Sequence, residues 1–227
     1  MSPSGWSARH YDAARDRRPP PPPAPLADGR DVTTLFGRRV VLRALQPQDF
    51  VQWREVRRRN VDWLTKWEPA RIPGQPDVVE DVEAFSVRCS ARHRERQLGT
   101  GYGFGIFVDG YFAGEINVSS VQRGPFQSAY VGYWIDEARA GNGYVAEALV
   151  VVARHCFEEL RLHRLQIAII PRNTASRRVV EKLDIREEGT ALRYLEINGA
   201  WEDHVRYAIT TEDWDARRDE LLKEWVD

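Results

Sequence analysis

Residues 130–149 read YVGYWIDEARAGNGYVAEAL, a pattern typical of the end of a strand, a glycine-containing loop and the start of an amphipathic helix. Glycine lets a loop turn its N–H groups inward, and the first turn of a helix adds free N–H groups and the positive end of its dipole. The stretch therefore predicts a phosphate or pyrophosphate site. It is not a P-loop, because no Lys-Ser/Thr pair follows, and it lacks the third glycine of a dinucleotide fingerprint.

The sequence on both sides of this stretch predicts an α+β fold. Asp77 after Pro76 is the expected cap of the longest early helix, and the pairs Asp109-Gly110 and Asn198-Gly199 are hairpin signals. A nearly all-apolar strand between two helices predicts one parallel-type crossover. The predicted order is strand 40–45, helices 49–59, 61–67 and 77–96, strands 102–108, 111–121 and 128–135, helix 144–160, strand 165–170, helix 174–183, strands 186–197 and 201–210, and helix 213–225.

The composition excludes several classes of protein. Lys and Arg number 33 against 34 Asp and Glu, so the charge lacks the basic excess of a protein that binds nucleic acid through phosphates. The 42% hydrophobic content supplies a core. Two cysteines cannot form a disulfide framework, and the five histidines show no metal-ligand spacing. No apolar run of membrane-spanning length and no signal peptide are present, so we expect a cytoplasmic protein without a metal or membrane contact.

Residues 1–38 form a segment of different composition. The five consecutive prolines at 19–23 favour an extended conformation without internal hydrogen bonds. We interpret this segment as a flexible, proline-rich leader, with a docking ligand as the alternative, and residues 39–227 as one domain. Residues 1–38 carry six Arg and four Asp, so the remaining domain is slightly acidic.

Several motifs in order resemble one family. Residues 130–136 (YVGYWID), 141–149 (GNGYVAEAL) and 173–183 (NTASRRVVEKL) resemble the GNAT acyl-CoA-dependent N-acetyltransferases. Residues 60–70 (NVDWLTKWEPA), 116–135 and 194–214 resemble, within that family, the ribosomal-protein-alanine N-acetyltransferases of the RimJ/RimL type, RimJ most of all. The resemblance extends over more than three quarters of the chain and leaves the leader outside.

The resemblance implies the GNAT acyltransferase fold, a mixed and mostly antiparallel sheet flanked by helices. In that fold the strand at 131–135 splays from its neighbour, and the opening holds the pantetheine arm of acetyl-CoA, the expected cosubstrate. The loop after the strand would hold the pyrophosphate. The residues that the resemblance assigns to acetyl-CoA are Tyr133, Trp134, Ile135, Arg139, Ala140, Gly141, Asn142, Gly143, Tyr144, Val145, Asn173 and Ser176.

Catalysis requires proton transfer around a nucleophilic amine. An α-amino group has a pKa near 7.7–8.0 and is partly neutral at physiological pH, so the enzyme mainly has to position it. Glu115 is the candidate general base, directly or through a water, with a salt-bridged glutamate as the alternative. The resemblance makes Ser176 the candidate acid. The candidate acceptor-binding residues are Trp63, Trp67, Glu68, Asn117 and Tyr194, of which Glu68 would grip the ammonium group or act as a second base.

Three departures from the family pattern are visible. Ala140 stands where a Gln or Arg is usual, and we expect Arg139 to compensate in part. Asp184-Ile185 replaces the usual Gly-Phe, and Ala168 stands at the position of the RimI-type glutamate. His204 and the arginine clusters at 57–59 and 92–96 are interpreted as structural or solvated, with an acidic partner as the alternative for the clusters.

The sequence thus predicts acetyl transfer to the N-terminal amine of a protein, and a small-subunit ribosomal protein is the acceptor that the resemblance implies. Two alternatives remain open. One is a small-molecule amine as acceptor, and the other is a non-catalytic module that binds acyl-CoA. Both a monomer and a homodimer are compatible with the sequence.

Overall fold

The computed structural model describes residues 33–227, so most of the predicted leader lies outside the described residues. The strands are β1 (Leu35–Phe36), β2 (Val40–Arg43), β3 (Tyr102–Val108), β4 (Tyr111–Gln122), β5 (Ser128–Ile135), β6 (Arg164–Ile169), β7 (Arg186–Ile197) and β8 (Ala200–Thr210). The helices are α1 (Phe50–Arg59), α2 (Val61–Leu64), α3 (Val82–Gln97), α4 (Tyr144–Arg154), α5 (Thr174–Lys182) and α6 (Thr211–Trp225). Within the described residues, no helix is long and apolar enough to cross a membrane.

The strands form one eight-stranded sheet in the order β1-β2-β3-β4-β5-β6-β8-β7. Only the β5–β6 pair is parallel among the described strands, and every other neighbouring pair is antiparallel. The helix α4 makes the connection between β5 and β6, as a parallel pair requires. The predicted mixed, mostly antiparallel sheet with one crossover is therefore confirmed.

The alternation of side chains along the central strands separates two layers. Ile116 and Val118 of β4 pack with α4 and the strands around it in the larger apolar cluster. Phe112 packs with Trp53 of α1 and Phe85 of α3 in a smaller cluster on the opposite side, because a register shift in the β3–β4 pair inserts one residue between it and Gly114. We call these sides the α4 face and the α1–α3 face. Because Glu115 and Asn117 alternate with Ile116 and Val118, they point to the α1–α3 face.

Both predicted hairpins are present. Asp109 and Gly110 have φ of 53° and 80°, and Asn198 and Gly199 have φ of 46° and 81°. Two consecutive positive φ values are what the twist-compatible two-residue turn requires, and Asn-Gly and Asp-Gly adopt them at low cost. The second hairpin is hydrogen-bonded to the loop after α2, since the N–H of Asn198 donates to the carbonyl oxygen of Glu68 at 3.0 Å.

Several element boundaries differ from the sequence prediction, and three of the differences have a clear structural basis. Helix α3 begins at Val82, not at Asp77, because Asp81 caps it by accepting from the N–H groups of Glu83 and Ala84. The carboxylate of Asp77 instead accepts from Val79 N–H and from Arg71. The helix predicted to reach residue 160 changes to a π-helical turn at His155–Glu159. Strand β1 lies before residue 39, with the side chain of Leu35 buried in the core.

A buried carboxylate fixes the end of β5 to the α1–α2 junction. Asp136, 1% exposed, accepts from Arg59 Nη2 at 2.5 Å and from Asn60 Nδ2 at 2.8 Å. Asn60 Oδ1 in turn accepts from the N–H of Glu137 at 2.9 Å. Burial raises the pKa of Asp136, but the hydrogen bonds from Arg59 and Asn60 outweigh it and hold the pKa below its usual value. The ionised carboxylate therefore stabilises the fold.

Asp136→Asn should lower the free energy of unfolding by about 2–3 kcal/mol at pH 7, because the charge that pairs with Arg59 is removed from a buried position. A group whose pKa is lowered by folding contributes stability above its unfolded pKa and loses it as the pH falls through the folded value. The difference between wild type and variant should therefore be constant from neutral pH to about pH 5 and shrink below about pH 4. Urea unfolding at several pH values measures it. The exposed Asp215→Asn variant is the matched control, and an equal loss in both would contradict the assignment.

Candidate active site

The parallel pairing of β5 and β6 ends early. Ladder partners exist only from Ser128–Arg164 to Tyr130–Gln166, although both strands continue beyond that point. On its other edge β5 stays paired with β4 as far as Ile135. The backbone N–H and C=O groups of residues 131–135 on the β6 side therefore have no ladder partner and line an open cleft. An extended chain that carries amide groups, such as a pantetheine arm, is chemically matched to this edge.

A loop and a helix N-terminus lie at the end of this cleft. After β5 a single 3-10 turn at Glu137–Arg139 leads to Gly141 and Gly143, with φ of 81° and 85°. Gly143 is the N-cap of α4, so the N–H groups of Tyr144, Val145 and Ala146 have no partner within the helix. Glycine suits position 143, because its φ is positive and an added Cβ would lie 3.2 Å from the ring of Trp225. These residues fit the pyrophosphate of acetyl-CoA by chemistry, because the N–H groups and the helix dipole favour an anion.

The loop is fastened to the beginning of the domain by a buried carboxylate, Glu147. Its Oε1 accepts from the N–H groups of Arg39 at 2.5 Å and Val40 at 3.0 Å, and its Oε2 accepts from Arg39 Nε at 2.9 Å. Arg39 Nη1 donates to the carbonyl oxygen of Asn142 at 3.0 Å. Asn142 itself donates from its Nδ2 to the carbonyl oxygens of Arg139 and Ala140. Sequence reasoning missed Glu147 and Arg39, although a single carboxylate in the apolar segment at 144–153 was a visible signal.

Helix α5 closes the other side of the cleft. Asn173 caps it, since its Oδ1 accepts from the N–H of Ser176 at 3.1 Å. The hydroxyl of Tyr133 donates to the carbonyl oxygen of Ser176 at 3.0 Å and so ties β5 to this helix. Burial of the phenol raises the pKa of Tyr133, which keeps it a neutral donor at physiological pH. The structure thus brings Tyr133, Asn173 and Ser176 together, as the resemblance implies, while the role of Ser176 stays a prediction.

Glu115 lies on the α1–α3 face, directly opposite Trp134 in the β4–β5 register. It is 2% exposed, and its two oxygens accept from Trp53 Nε1 at 2.7 Å and from Arg88 Nη2 at 2.5 Å. The structure shows the alternative that the sequence left open, a salt-bridged glutamate. The role of Glu115 as a general base stays a prediction. An ionised carboxylate has about four acceptor positions, so these two donors leave capacity for a water or an amine.

The predicted acceptor-binding residues surround this part of the α1–α3 face. Trp63 Nε1 donates to the carbonyl oxygen of Ile135 at 3.1 Å. Glu68 forms a bidentate pair with Arg57, both distances being 2.7 Å, so its charge is already compensated. The guanidinium of Arg172 lies 5.5 Å from the ring of Trp67.

The hydroxyls of Tyr194 and Tyr130 are 3.4 Å apart, at the point where β5 and β6 diverge. His204 is buried and its Nδ1 lies 3.0 Å from the carbonyl oxygen of Glu202. Among residues 33–227, no group of three or more His, Cys, Asp or Glu side chains is arranged to hold a metal. The absence of a metal from the reaction stays a prediction.

A parallel strand pair that splays beside a helix N-terminus defines the class of acyl-CoA-dependent acyltransferases. The family model for the acetyltransferase (GNAT) domain matches residues 39–186. The chain therefore belongs to the GNAT acetyltransferase family, and it is an N-acetyltransferase that uses acetyl-CoA as cosubstrate.

Three comparisons describe its relatives. The chain is 33% identical over 181 residues to the probable N-acetyltransferase YjcK of Bacillus subtilis, covering 79% of this chain and 98% of that protein. It is 30% identical over 178 residues to the ribosomal protein uS5-alanine N-acetyltransferase of Escherichia coli, covering 78% and 90%. The structure of Mycobacterium smegmatis RimJ in complex with CoA-disulfide superposes with a TM-score of 0.76 at 34% identity, covering 85% of this chain and 93% of that chain.

Arg39→Ala should raise the dissociation constant for acetyl-CoA about tenfold, because the loop at 139–145 loses its link to β2 and binding then has to order it. The loss should be smaller for Arg39→Lys, which keeps the charge near Glu147. Calorimetric titration with coenzyme A measures it, with circular dichroism to confirm folding. Arg38→Ala is the matched control, since Arg38 donates only to the carbonyl oxygen of Lys223 at the surface. Equal affinities for the Arg39 and Arg38 variants would contradict this role.

Proposed function

We propose that this enzyme acetylates the N-terminal α-amino group of a protein, and that a small-subunit ribosomal protein belongs to its acceptors. The observation that carries the proposal is the open position beside the cleft on the α1–α3 face. Gly132 is exposed, and a Cβ built on it would meet no atom within 4 Å. An acceptor backbone can therefore approach β5 closely there, next to the groups that would receive the acetyl donor.

The names of the relatives support a ribosomal acceptor. The Escherichia coli protein modifies an alanine of ribosomal protein uS5, and the Mycobacterium smegmatis structure is of a RimJ. With such an acceptor, the cytoplasm is the location that we propose for the enzyme. The slightly acidic charge of residues 39–227 suits a partner from a basic protein class better than direct contact with RNA.

The proposed reaction is direct transfer. When bound, acetyl-CoA supplies a thioester whose carbonyl carbon accepts the amine: a C–N bond forms, the C–S bond breaks, and the thiolate leaves with a proton. In this proposal, backbone groups of Tyr133, Trp134 and Ile135 pair with the pantetheine arm and polarise the carbonyl oxygen. Glu115 receives the ammonium proton directly or through a water, which leaves the neutral amine to attack. As the C–S bond breaks, the hydroxyl of Ser176 gives its proton to the sulfur and is reprotonated by the proton that the nitrogen releases on forming the amide.

The substrate-side residues serve positioning. Trp63, held to the carbonyl of Ile135, and Tyr194, held to Tyr130, border the open position at Gly132 on two sides. Glu68 is engaged by Arg57, so we assign it to holding the loop after α2 rather than to proton transfer. Asn117 lies opposite Gly132 in the β4–β5 ladder and supplies a polar side chain on the same face of the sheet.

A panel of amines tests the acceptor class. Acetyl-CoA is incubated with Ala- and Ser-starting peptides, the same peptides with blocked N-termini, polyamines and aminoglycosides, and thiol release is followed. Turnover should occur on free N-termini and be absent on blocked ones, with mass spectrometry showing one acetyl group on the first residue. Turnover only on polyamines or aminoglycosides would overturn the proposal in favour of a small-molecule acceptor.

Glu115→Gln should lower kcat by about 10²-fold, the usual contribution of a general base, with little change in the KM for acetyl-CoA. The remaining rate should rise with pH as the amine deprotonates unaided near pH 8. Ser176→Ala should lower kcat without this pH dependence. Glu83→Gln, an exposed carboxylate at the start of α3, is the control. A wild-type kcat in Glu115→Gln across the pH range would remove Glu115 from proton transfer.

A further inference from the structure

A cavity of about 540 Å³ opens on the α1–α3 face beside the proposed acceptor position. It lies between α3, the segment 44–47 after β2, and strands β3 and β4. Its volume is in the range of ligand-binding pockets. Glu115 and Asn117 form part of its wall, so it shares residues with the proposed site. The acetyl-transfer reaction does not by itself account for a cavity at this position.

The side chains that line the cavity are mostly positively charged or neutral. Four arginines line it, all from α3: Arg88, Arg92, Arg94 and Arg96. The carboxylate of Glu115 is the only acidic side chain in its lining, and Glu95 pairs with Arg92 at its rim at 2.8 Å. The cavity therefore keeps a positive excess inside a domain whose net charge is slightly negative. These arginines belong to the cluster for which the sequence left an acidic partner open.

The arginines are held in place around the cavity. Arg88 is fixed by Glu115. Arg96 is 4% exposed, donates to the carbonyl oxygen of Gly103 at 3.2 Å, and lies over the rings of Tyr102 and Phe104. Arg92 is half-buried, with its side chain 36% exposed, and Arg94 is exposed. A row of fixed guanidinium groups beside open space recognises carboxylates with good geometry.

A trough of small residues leads from the cleft to this cavity. Gly132 of β5, Asn117 of β4 and Gly103 of β3 are ladder partners in one row across the sheet. Gly132 leaves the space above its strand free. A Cβ built on Gly103 would lie 2.9 Å from Asn117 Oδ1 and 3.5 Å from Arg92 Cδ, so the row ends against the side chain of Arg92. Two strand spacings separate the ends of the row, about 10 Å. An extended peptide covers that distance with about three residues.

The geometry points to a specificity pocket for an acidic side chain within the first four residues of the acceptor. This inference rests on the proposed function, because it takes the acceptor to be a protein N-terminus whose amine lies beside Gly132. The chain then follows the trough away from the cleft, and an Asp or Glu at position three or four reaches the guanidinium groups of α3. Acceptors with Lys at these positions are disfavoured by the same charges.

Peptides that differ at one position test the pocket. Ala-starting peptides carry Glu, Gln or Lys at position three or four and are otherwise identical, and kcat/KM is measured for each at low salt. Wild-type enzyme should prefer Glu over Gln about tenfold and Gln over Lys, since a charge-assisted pair adds free energy that the amide lacks. Arg92→Gln should reduce the preference, and Arg92→Glu should reverse it toward Lys. The affinity for acetyl-CoA should be unchanged in both variants.

Arg154→Gln, which removes one charge at the far end of α4, is the control and should keep the wild-type preference. Equal kcat/KM for Glu, Gln and Lys peptides on wild-type enzyme would overturn the pocket while leaving N-terminal acetylation intact. A preference for Glu that persists in Arg92→Glu would also overturn it. Absence of turnover on every free N-terminus is a different result, since it would refute the proposed function itself.

Discussion

The site depends on the early end of one parallel ladder. Three pairs of residues join β5 to β6, and from there the strands separate. A sheet normally satisfies both edges of an interior strand, so the opening leaves a row of unpaired backbone groups in the middle of the domain. Such groups are costly to bury without a partner. The cleft can therefore persist only if it is filled by water or by a ligand that carries amide groups of its own.

The strands are joined at one end of the cleft, and hydrogen bonds to other elements fix β5 at the other end. Asp136 binds Arg59 and Asn60 just beyond β5, and Tyr133 reaches across to the carbonyl of Ser176. At the closed end, Gln166 of β6 donates to Ser128 of β5 and accepts from Arg206 of β8. The opening is thus built into the resting structure. A ligand that enters it does not have to break the sheet first, which lowers the cost of binding.

Periodicity predicted most of the elements, because long apolar stripes and the Asp-Gly and Asn-Gly turns have few alternative structures. The predicted start of α3 was wrong because both Asp77 and Asp81 can act as a helix cap by sequence. The packing of Phe85 into the core favours a helix that begins after Asp81. The loop at 139–145 was recognisable from its glycines. Its anchor was not, because Arg39 and Glu147 lie 108 positions apart and meet only when β2 lies beside α4.

In the proposed reaction, acetyl-CoA and the acceptor amine lie on different sides of β5. Its open edge and the α4 side would receive acetyl-CoA, where Tyr133 and the start of α4 lie. Its α1–α3 side carries Gly132 and faces Glu115 and Asn117 through β4. In the proposed reaction, an amine would approach β5 from this side, and acetyl-CoA would lie on the other. The acceptor must then leave along the sheet, either past Tyr194 or along the trough toward α3. Since a peptide continues beyond its amine whereas a small amine does not, the direction of the trough matters only for a polymeric acceptor.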